Sequence, residues 1–170
     1  MHSIRSVILS VLSSAAFLAS QVALAQAPAP AEFVTKATQA GMTEIAVARI
    51  ALGKSKTDDV QTFAKQMVKD HSAAQTELAA IAQRQKLAIP SQLDADHQAV
   101  VARFKRQPAS TFDAAYARQM VADHEEAVAL FKSEAAGVKA DAELAAFAQK
   151  TLPTLESHKT MADALAAAHS

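Results

Sequence analysis

The sequence predicts an all-α protein, an antiparallel four-helix bundle with one short extra connector helix. Glycine occurs only three times in 170 residues, and the chain after residue 25 is rich in Ala, Leu, Gln, Lys and Glu, which are strong helix formers. Apolar residues recur there at alternating steps of three and four, the period of a helix that buries one face. Four long helices with short connections pack most economically as an antiparallel bundle.

Residues 1–25 have the composition of a secretory signal peptide. Arg5 supplies the positive start, residues 7–19 are apolar, and Ala23-Leu24-Ala25 places small residues at the two positions that a signal peptidase requires. The apolar stretch is too short to predict a membrane span, although an uncleaved N-terminal anchor is the competing interpretation. We therefore expect an exported, periplasmic protein that begins at Gln26 and has no transmembrane span in its mature chain.

Charge and cysteine content exclude several classes of function. The chain has 17 basic residues, 17 acidic residues and no cysteine, so it has no thiolate metal site, no cysteine nucleophile and no disulfide. No block of like charges is long enough to form a patch for nucleic acid or anionic lipid. The sequence thus predicts no nucleic-acid partner, and it is compatible with both a monomer and a homo-oligomer.

A leader and two long helices account for the first half of the mature chain. Residues 26–31 (QAPAPA) form an extended, flexible leader because X-Pro steps disfavour helix, and the bundle domain covers 32–168. The first helix runs from about residue 31 to 54. The second begins at a cap, Ser55 or Thr57, and continues to about residue 87.

Three further helices follow. The connector helix begins with Ser91 as its cap and ends before Pro108. The third long helix begins near residue 110 and ends at Gly137, and the last runs from about residue 141 to 168. We expect a bend at Pro153, because a proline inside a helix removes one backbone hydrogen bond.

The most informative motif is a repeat that carries a methionine and a histidine four residues apart. Residues 63–71 (FAKQMVKDH) and 116–124 (YARQMVADH) are identical at six of nine positions. On a helix this spacing puts the two side chains of each copy on one face. A third histidine, His158, lies at an equivalent seam position of the last helix. The repeat between two helices also predicts an approximate internal two-fold.

Together with three other stretches, the repeat resembles the bacterial domain-of-unknown-function 4142 family. The stretches are GMTE at 41–44, FDAAY at 112–116 and TLPTLESH at 151–158, and the resemblance extends from about residue 33 to 167. It implies a ferritin-like helical bundle that is exported in Gram-negative bacteria and is periplasmic or associated with the outer membrane. It implies no established activity, so fold analogy does not choose among functions.

The sharpest functional hypothesis is one transition-metal ion bound in the bundle core. Three imidazoles and a carboxylate, one from each long helix, suit Zn, Mn, Fe or Cu(II). The predicted ligands are Glu44, His71, His124 and His158. A Cu(I) version adds thioethers, because methionine with histidine is a soft ligand set. Its ligands are Met67 and Met120, from a set of four that also includes Met42 and Met161, one in each long helix.

Two alternatives stay open. In the first, no metal binds, and the histidines hydrogen-bond across the bundle to Glu44, Asp70 or Asp123 in a structural or stress-related protein. The second, a ferritin-like metal-dependent oxidoreductase, is disfavoured because its dinuclear site needs a Glu-x-x-His motif on each of two helices, and this chain has no such motif. We therefore predict no catalytic residues and expect a binding or structural protein rather than an enzyme.

Overall fold

The structure, a computed structural model, describes residues 26–137 and 140–170, so the predicted signal peptide lies outside the described residues. All regular structure in these two ranges is helical. The five helices are α1 (Pro30–Lys54), α2 (Asp58–Arg84), α3 (Ala95–Arg106), α4 (Ala109–Ala136) and α5 (Ala142–Ala168).

Contacts between helix ends determine how the four long helices run. Each long helix packs beside two others, in the cyclic order α1, α2, α5, α4. Thr57 before α2 donates to Asp113 near the start of α4 (3.0 Å), so these two helices start at the same end. At the other end, Gln85 after α2 donates to Asp141 before α5 (2.7 Å). Every long helix is therefore antiparallel to both neighbours, which confirms the predicted bundle with its extra connector helix.

The connector α3 makes the single long crossover between the two helical hairpins. It packs mainly on α1 and ends beside the end of α1, where the ammonium group of Lys54 donates to the carbonyl oxygens of Phe104 (3.1 Å), Lys105 (2.6 Å) and Gln107 (2.8 Å). A cation at the end of a helix satisfies its last carbonyl groups. One crossover in a four-helix bundle is the connectivity of ferritin-like folds.

Two apolar clusters fill the bundle, and a polar layer separates them. The first surrounds Phe63, Met67, Tyr116 and Met120, and the second lies toward the other end of the long helices. The second contains Phe33, Val34, Leu78, Ile81, Phe131, Leu144 and Phe147. The three seam histidines lie between the clusters, one helical turn beyond the methionines of α2 and α4. The interior thus holds a layer of imidazoles between two apolar clusters.

Two predicted helix boundaries are wrong. The second long helix ends at Arg84, not near Leu87, because Lys86 takes a left-handed conformation (φ 56°) and the Leu87 N–H donates to the Ala82 carbonyl (2.8 Å). This is the backbone pattern that ends many helices, here without a glycine.

The connector helix begins at Ala95, not at Ser91. Gln39 of α1 donates to the Gln92 carbonyl (3.0 Å) and accepts from the Asp94 N–H (3.1 Å), which holds this segment outside the helix. Asp94 then caps α3 by accepting from the His97 N–H (3.0 Å). A contact with another helix therefore decides where α3 starts.

The other boundaries lie within about two residues of prediction. Helix α1 begins at Pro30, inside the predicted leader, and α5 is capped by Asp141 and continues through Pro153. None of the helices in the described part of the chain combines the length and the apolarity that a membrane span requires.

Candidate metal centre

The three seam histidines meet in the buried polar layer. His71 is 6% exposed, His124 0% and His158 1%. Their ring centroids form a nearly equilateral triangle, with sides of 5.6 Å (His71 to His124), 5.3 Å (His71 to His158) and 5.5 Å (His124 to His158). One ring nitrogen from each lies within 4.8 Å of the others. The heptad spacing therefore does bring α2, α4 and α5 together at one point.

One nitrogen of each ring, which we call the outer nitrogen, donates to a carboxylate or carbonyl acceptor. His71 Nδ1 donates to Glu44 Oε2 (2.9 Å), His124 Nδ1 donates to the Met120 carbonyl (2.8 Å), and His158 Nε2 donates to Asp70 Oδ2 (2.9 Å). A carbonyl or an ionised carboxylate can only accept. The proton of each neutral ring is therefore held on the outer nitrogen. The neutral tautomer is the Nδ1–H form for His71 and His124 and the Nε2–H form for His158.

The other nitrogen of each ring is buried and has no hydrogen-bond partner. These atoms are His71 Nε2, His124 Nε2 and His158 Nδ1. In the neutral form of each ring the proton is on the outer nitrogen, so this other nitrogen carries a free lone pair. Histidine ligands of metals show this division, in which one nitrogen binds the ion and the other donates to a carboxylate or a carbonyl. The residues present thus fit a metal ion with three imidazole ligands.

The spacing of the triad is close to that of a coordinated ion. A tetrahedral ion with metal–nitrogen bonds of about 2.1 Å holds its nitrogens about 3.4 Å apart. The ring nitrogens lie within 4.8 Å of one another, so they are at most about 1.4 Å farther apart than that geometry requires. Small side-chain adjustments cover this difference.

Glu44 joins the cluster from α1, behind the rings. It is 2% exposed, and its Oε1 lies 3.6 Å from His124 Nδ1 without a hydrogen bond, while Oε2 is paired with His71. Both oxygens thus face proton-bearing nitrogens. In this arrangement Glu44 orients ligands, and its predicted role as a direct ligand stays a prediction.

Burial and the Glu44 carboxylate set the charges of the layer. Burial disfavours the charged form of Glu44, but His71 outweighs it and lowers the pKa of Glu44 below its ordinary value. Burial likewise opposes protonation of His71, but Glu44 raises the pKa of that ring. Burial lowers the pKa of His124, and it lowers the pKa of His158 to about 4. At neutral pH the latter two rings are therefore neutral and able to coordinate a cation.

The four methionines do not all belong to one buried cluster. Met67 and Met120 are completely buried in the first apolar cluster, one turn from their histidines, whereas Met161 is 37% exposed on α5. Thioethers in such surroundings commonly fill gaps between side chains. Participation of Met67 and Met120 in a copper site stays a prediction.

The repeat contains a further pair of residues whose role the pattern analysis missed. Gln66 donates to Asp70 and Gln119 donates to Asp123, each at 2.6 Å and four residues apart. This hydrogen bond holds each aspartate on the side of its helix. The identical glutamine and aspartate in both copies were a signal for it, because side chains four residues apart are neighbours on a helix.

The two copies differ in what the aspartate meets. Asp70 crosses the bundle to His158, as one interpretation of the sequence expected, whereas Asp123 Oδ2 is buried without a partner. Burial raises the pKa of Asp123 to about 7, and the nearby charges of Glu44 and Glu126 add to this effect. The approximate two-fold is therefore broken at the aspartates.

We expect Asp123→Asn to stabilise the protein at pH 8 but not at pH 4. A carboxyl group whose pKa is higher in the folded state favours folding below its unfolded pKa, and this contribution is lost as pH rises through about 7. The expected gain at pH 8 is up to about 4 kcal/mol, because the pKa rises from 3.8 to about 7 and one pKa unit corresponds to about 1.4 kcal/mol. Urea unfolding at both pH values measures it, and an equal effect at pH 4 would contradict the assignment.

Comparison with known proteins identifies the type of fold and the family of this chain. The structure is similar to the crystal structure of a DUF305 fragment from Deinococcus radiodurans, with a TM-score of 0.69 and 19% sequence identity over 82% of this chain and 97% of that one. With the single crossover, this similarity confirms the predicted ferritin-like bundle. The chain has no significant match among curated proteins. The family model described as "Domain of unknown function (DUF4142)" matches residues 15–165. The chain therefore belongs to the DUF4142 family.

Proposed function

We propose that this protein binds one transition-metal ion in its bundle core through His71, His124 and His158. Two observations support this most strongly: each ring has a buried nitrogen without a partner, and the three rings bring one nitrogen each within 4.8 Å of the others. Glu44, Asp70 and the Met120 carbonyl hold the rings by their outer nitrogens. Such outer partners orient a ligand and increase its basicity.

A purely structural role explains the hydrogen-bonded nitrogens of the histidines but not the unpaired ones. The bonds from His71 to Glu44 and from His158 to Asp70 connect different helices, which favours a role in helix register. Each unpaired buried nitrogen, however, costs about 1–3 kcal/mol, and an apolar layer would avoid that cost. A cation at the centre of the triangle removes all three penalties at once.

The donor set limits the class of metal. Three imidazoles suit Zn, Mn, Fe or Cu(II), and Glu44 supplies a negative charge beside them. A site with three protein ligands leaves a coordination position in which a bound metal lowers the pKa of water. We propose that the protein performs this function in the periplasm, and the signal-peptide pattern of residues 1–25 supports that location.

Metal content tests the proposal directly. The purified protein is stripped with a chelator, mixed separately with Zn²⁺, Mn²⁺, Fe²⁺ and Cu²⁺, desalted and analysed by mass spectrometry for bound metal. We expect one equivalent of at least one metal and a rise in unfolding temperature with its concentration, because a ligand that binds the native state stabilises it. His158→Ala is expected to lose both effects.

His97→Ala is the matched control. His97 lies on α3, with 34% of its side chain exposed and a hydrogen bond to Asp94 (2.7 Å), outside the triad. This variant should bind metal as the wild type does. Less than about 0.1 equivalent of every metal in the wild type, with no thermal shift, would refute the proposal.

A further inference from the structure

A groove between α2 and α5 leads to one of the proposed ligands. Its volume is about 900 Å³, and His158 is part of its lining. His158 is 1% exposed, and its Nδ1 has no hydrogen-bond partner. Pro153 and Met161 of α5 and Phe63 of α2 contribute apolar walls. The groove thus connects solvent with the α5 corner of the histidine triangle.

The charges that line this groove are all negative. Asp58, Asp59 and Asp70 contribute carboxylates, and the lining includes neither lysine nor arginine. Two of the carboxylates are held in place, since Asp59 accepts from His169 (2.8 Å) and Asp70 accepts from both Gln66 and His158. A cleft of one charge sign with low-dielectric walls raises the local concentration of counter-ions.

The groove on the opposite side of the bundle contains none of the proposed histidine ligands. A groove of about 600 Å³ between α1 and α4 lies beneath α3, whose Asp96, His97 and Val100 help to line it. Four acidic residues and one lysine line it, but none of the three proposed histidine ligands does; the charged residues are Glu44, Asp96, Asp123, Glu126 and Lys36. Both grooves are therefore acidic, but only the α2–α5 groove is lined by one of the proposed histidine ligands.

We propose that the metal ion enters and leaves the core through the α2–α5 groove. This inference rests on the proposed metal-binding function. A hydrated divalent cation is concentrated by Asp58, Asp59 and Asp70, meets His158 first, and exchanges water ligands for the three imidazoles as it moves inward. Asp70 has two tasks, because it faces the groove and also orients His158 through the 2.9 Å hydrogen bond.

Blocking each groove in turn tests the route. The chain has no cysteine, so a single introduced cysteine reacts alone with a bulky maleimide. Thr154→Cys places the label in the α2–α5 groove, and Glu126→Cys places it in the α1–α4 groove, in both cases at an exposed position. The rate of Zn²⁺ uptake from a fluorescent chelator is measured for each variant with and without the label, and circular dichroism checks that the helices persist.

We expect the label at Thr154→Cys to slow Zn²⁺ uptake by about 10-fold or more and the label at Glu126→Cys to change it by less than about 2-fold. The final amount of bound Zn²⁺ should stay the same in both. Asp58→Asn, without any label, should slow uptake and weaken its dependence on ionic strength, because one steering charge is lost.

The outcomes of these experiments distinguish failure of the proposed entry route from failure of the proposed metal site. The route would be overturned, with the metal site left intact, if the protein binds the normal amount of zinc but two further results are negative. These are equal uptake rates for the labelled and unlabelled Thr154→Cys protein and an unchanged salt dependence of uptake in Asp58→Asn. Slower uptake only with the label at Glu126→Cys would assign access to the α1–α4 groove instead. A wild type that binds no Zn²⁺ or other metal at equilibrium would overturn both proposals.

Discussion

Replacing His124 by leucine will stabilise the metal-free protein and abolish its stabilisation by metal. The His124 ring is completely buried, its Nε2 has no partner, and its Nδ1 donates only to the carbonyl of residue 120 in its own helix. Leucine is similar in volume and leaves no unpaired polar atom, so we expect a gain of about 1–3 kcal/mol in unfolding free energy without metal. The wild type, in contrast, should gain about 4 kcal/mol at a free metal concentration of 1,000 times its Kd.

Urea unfolding with a chelator and with saturating metal measures both effects. His71→Leu is the informative comparison, because it removes the partner of the buried Glu44 carboxylate and should destabilise the metal-free protein. If the histidines are metal ligands, His124→Leu should raise and His71→Leu should lower the unfolding free energy of the metal-free protein. Equal destabilisation by both, with no effect of metal on the wild type, would instead assign the histidine layer a purely structural role.

Replacing Glu44 by alanine will cost about 3–5 kcal/mol of unfolding free energy at pH 7, the penalty for removing one partner of a buried ion pair. Glu44 is 2% exposed and contacts His71 Nδ1 at 2.9 Å. Because the folded-state pKa of Glu44 is lowered, its contribution is present above the unfolded pKa and is lost as pH falls through the folded pKa. The difference between variant and wild type should therefore shrink in acid.

The conservative variant Glu44→Gln distinguishes an outer partner from a ligand. Its amide oxygen can still accept from His71, so the protein should fold and bind metal with about 10–100-fold lower affinity, the usual effect of weakening a ligand's outer hydrogen bond. Competition with a chelator of known affinity measures the change. Complete loss of binding in a folded Glu44→Gln protein would instead identify Glu44 as a direct ligand, as the sequence first predicted.

The fold was predictable because the patterns that specify it are local and repeated. Steps of three and four place His71, His124 and His158 on the buried faces of their helices, and short connections force neighbouring helices to run antiparallel. The resemblance to the DUF4142 family predicted the same bundle, and the match of the family model to residues 15–165 confirms the family. The same arguments identified four buried residues of the candidate centre.

One error arose where a contact from another helix overrides a local signal, and the other where the backbone ends a helix without the expected residue type. Ser91 has the chemistry of a helix cap, but Gln39 on α1 binds the segment around Gln92 and delays the helix to Ala95. Similarly, Lys86 rather than a glycine takes the left-handed conformation that ends α2. The Gln39 contact joins two distant parts of the chain, and lysine rarely takes a left-handed conformation, so local sequence patterns predict neither boundary.

The sequence by itself determined the all-α bundle, the family and the inward position of the three histidines, since helical periodicity states which side chains share a face. Only the tertiary structure decided which nitrogen of each ring is free. That depends on the rotation of each helix and on acceptors that α1 and α2 present to the rings, with Glu44 bonded to His71 and Asp70 to His158. It also decided that α3 lies over one groove while the other leads to His158. Hydrogen bonds between helices and access routes depend on how the helices are positioned relative to one another. The periodicity of residues along a single helix does not specify that positioning.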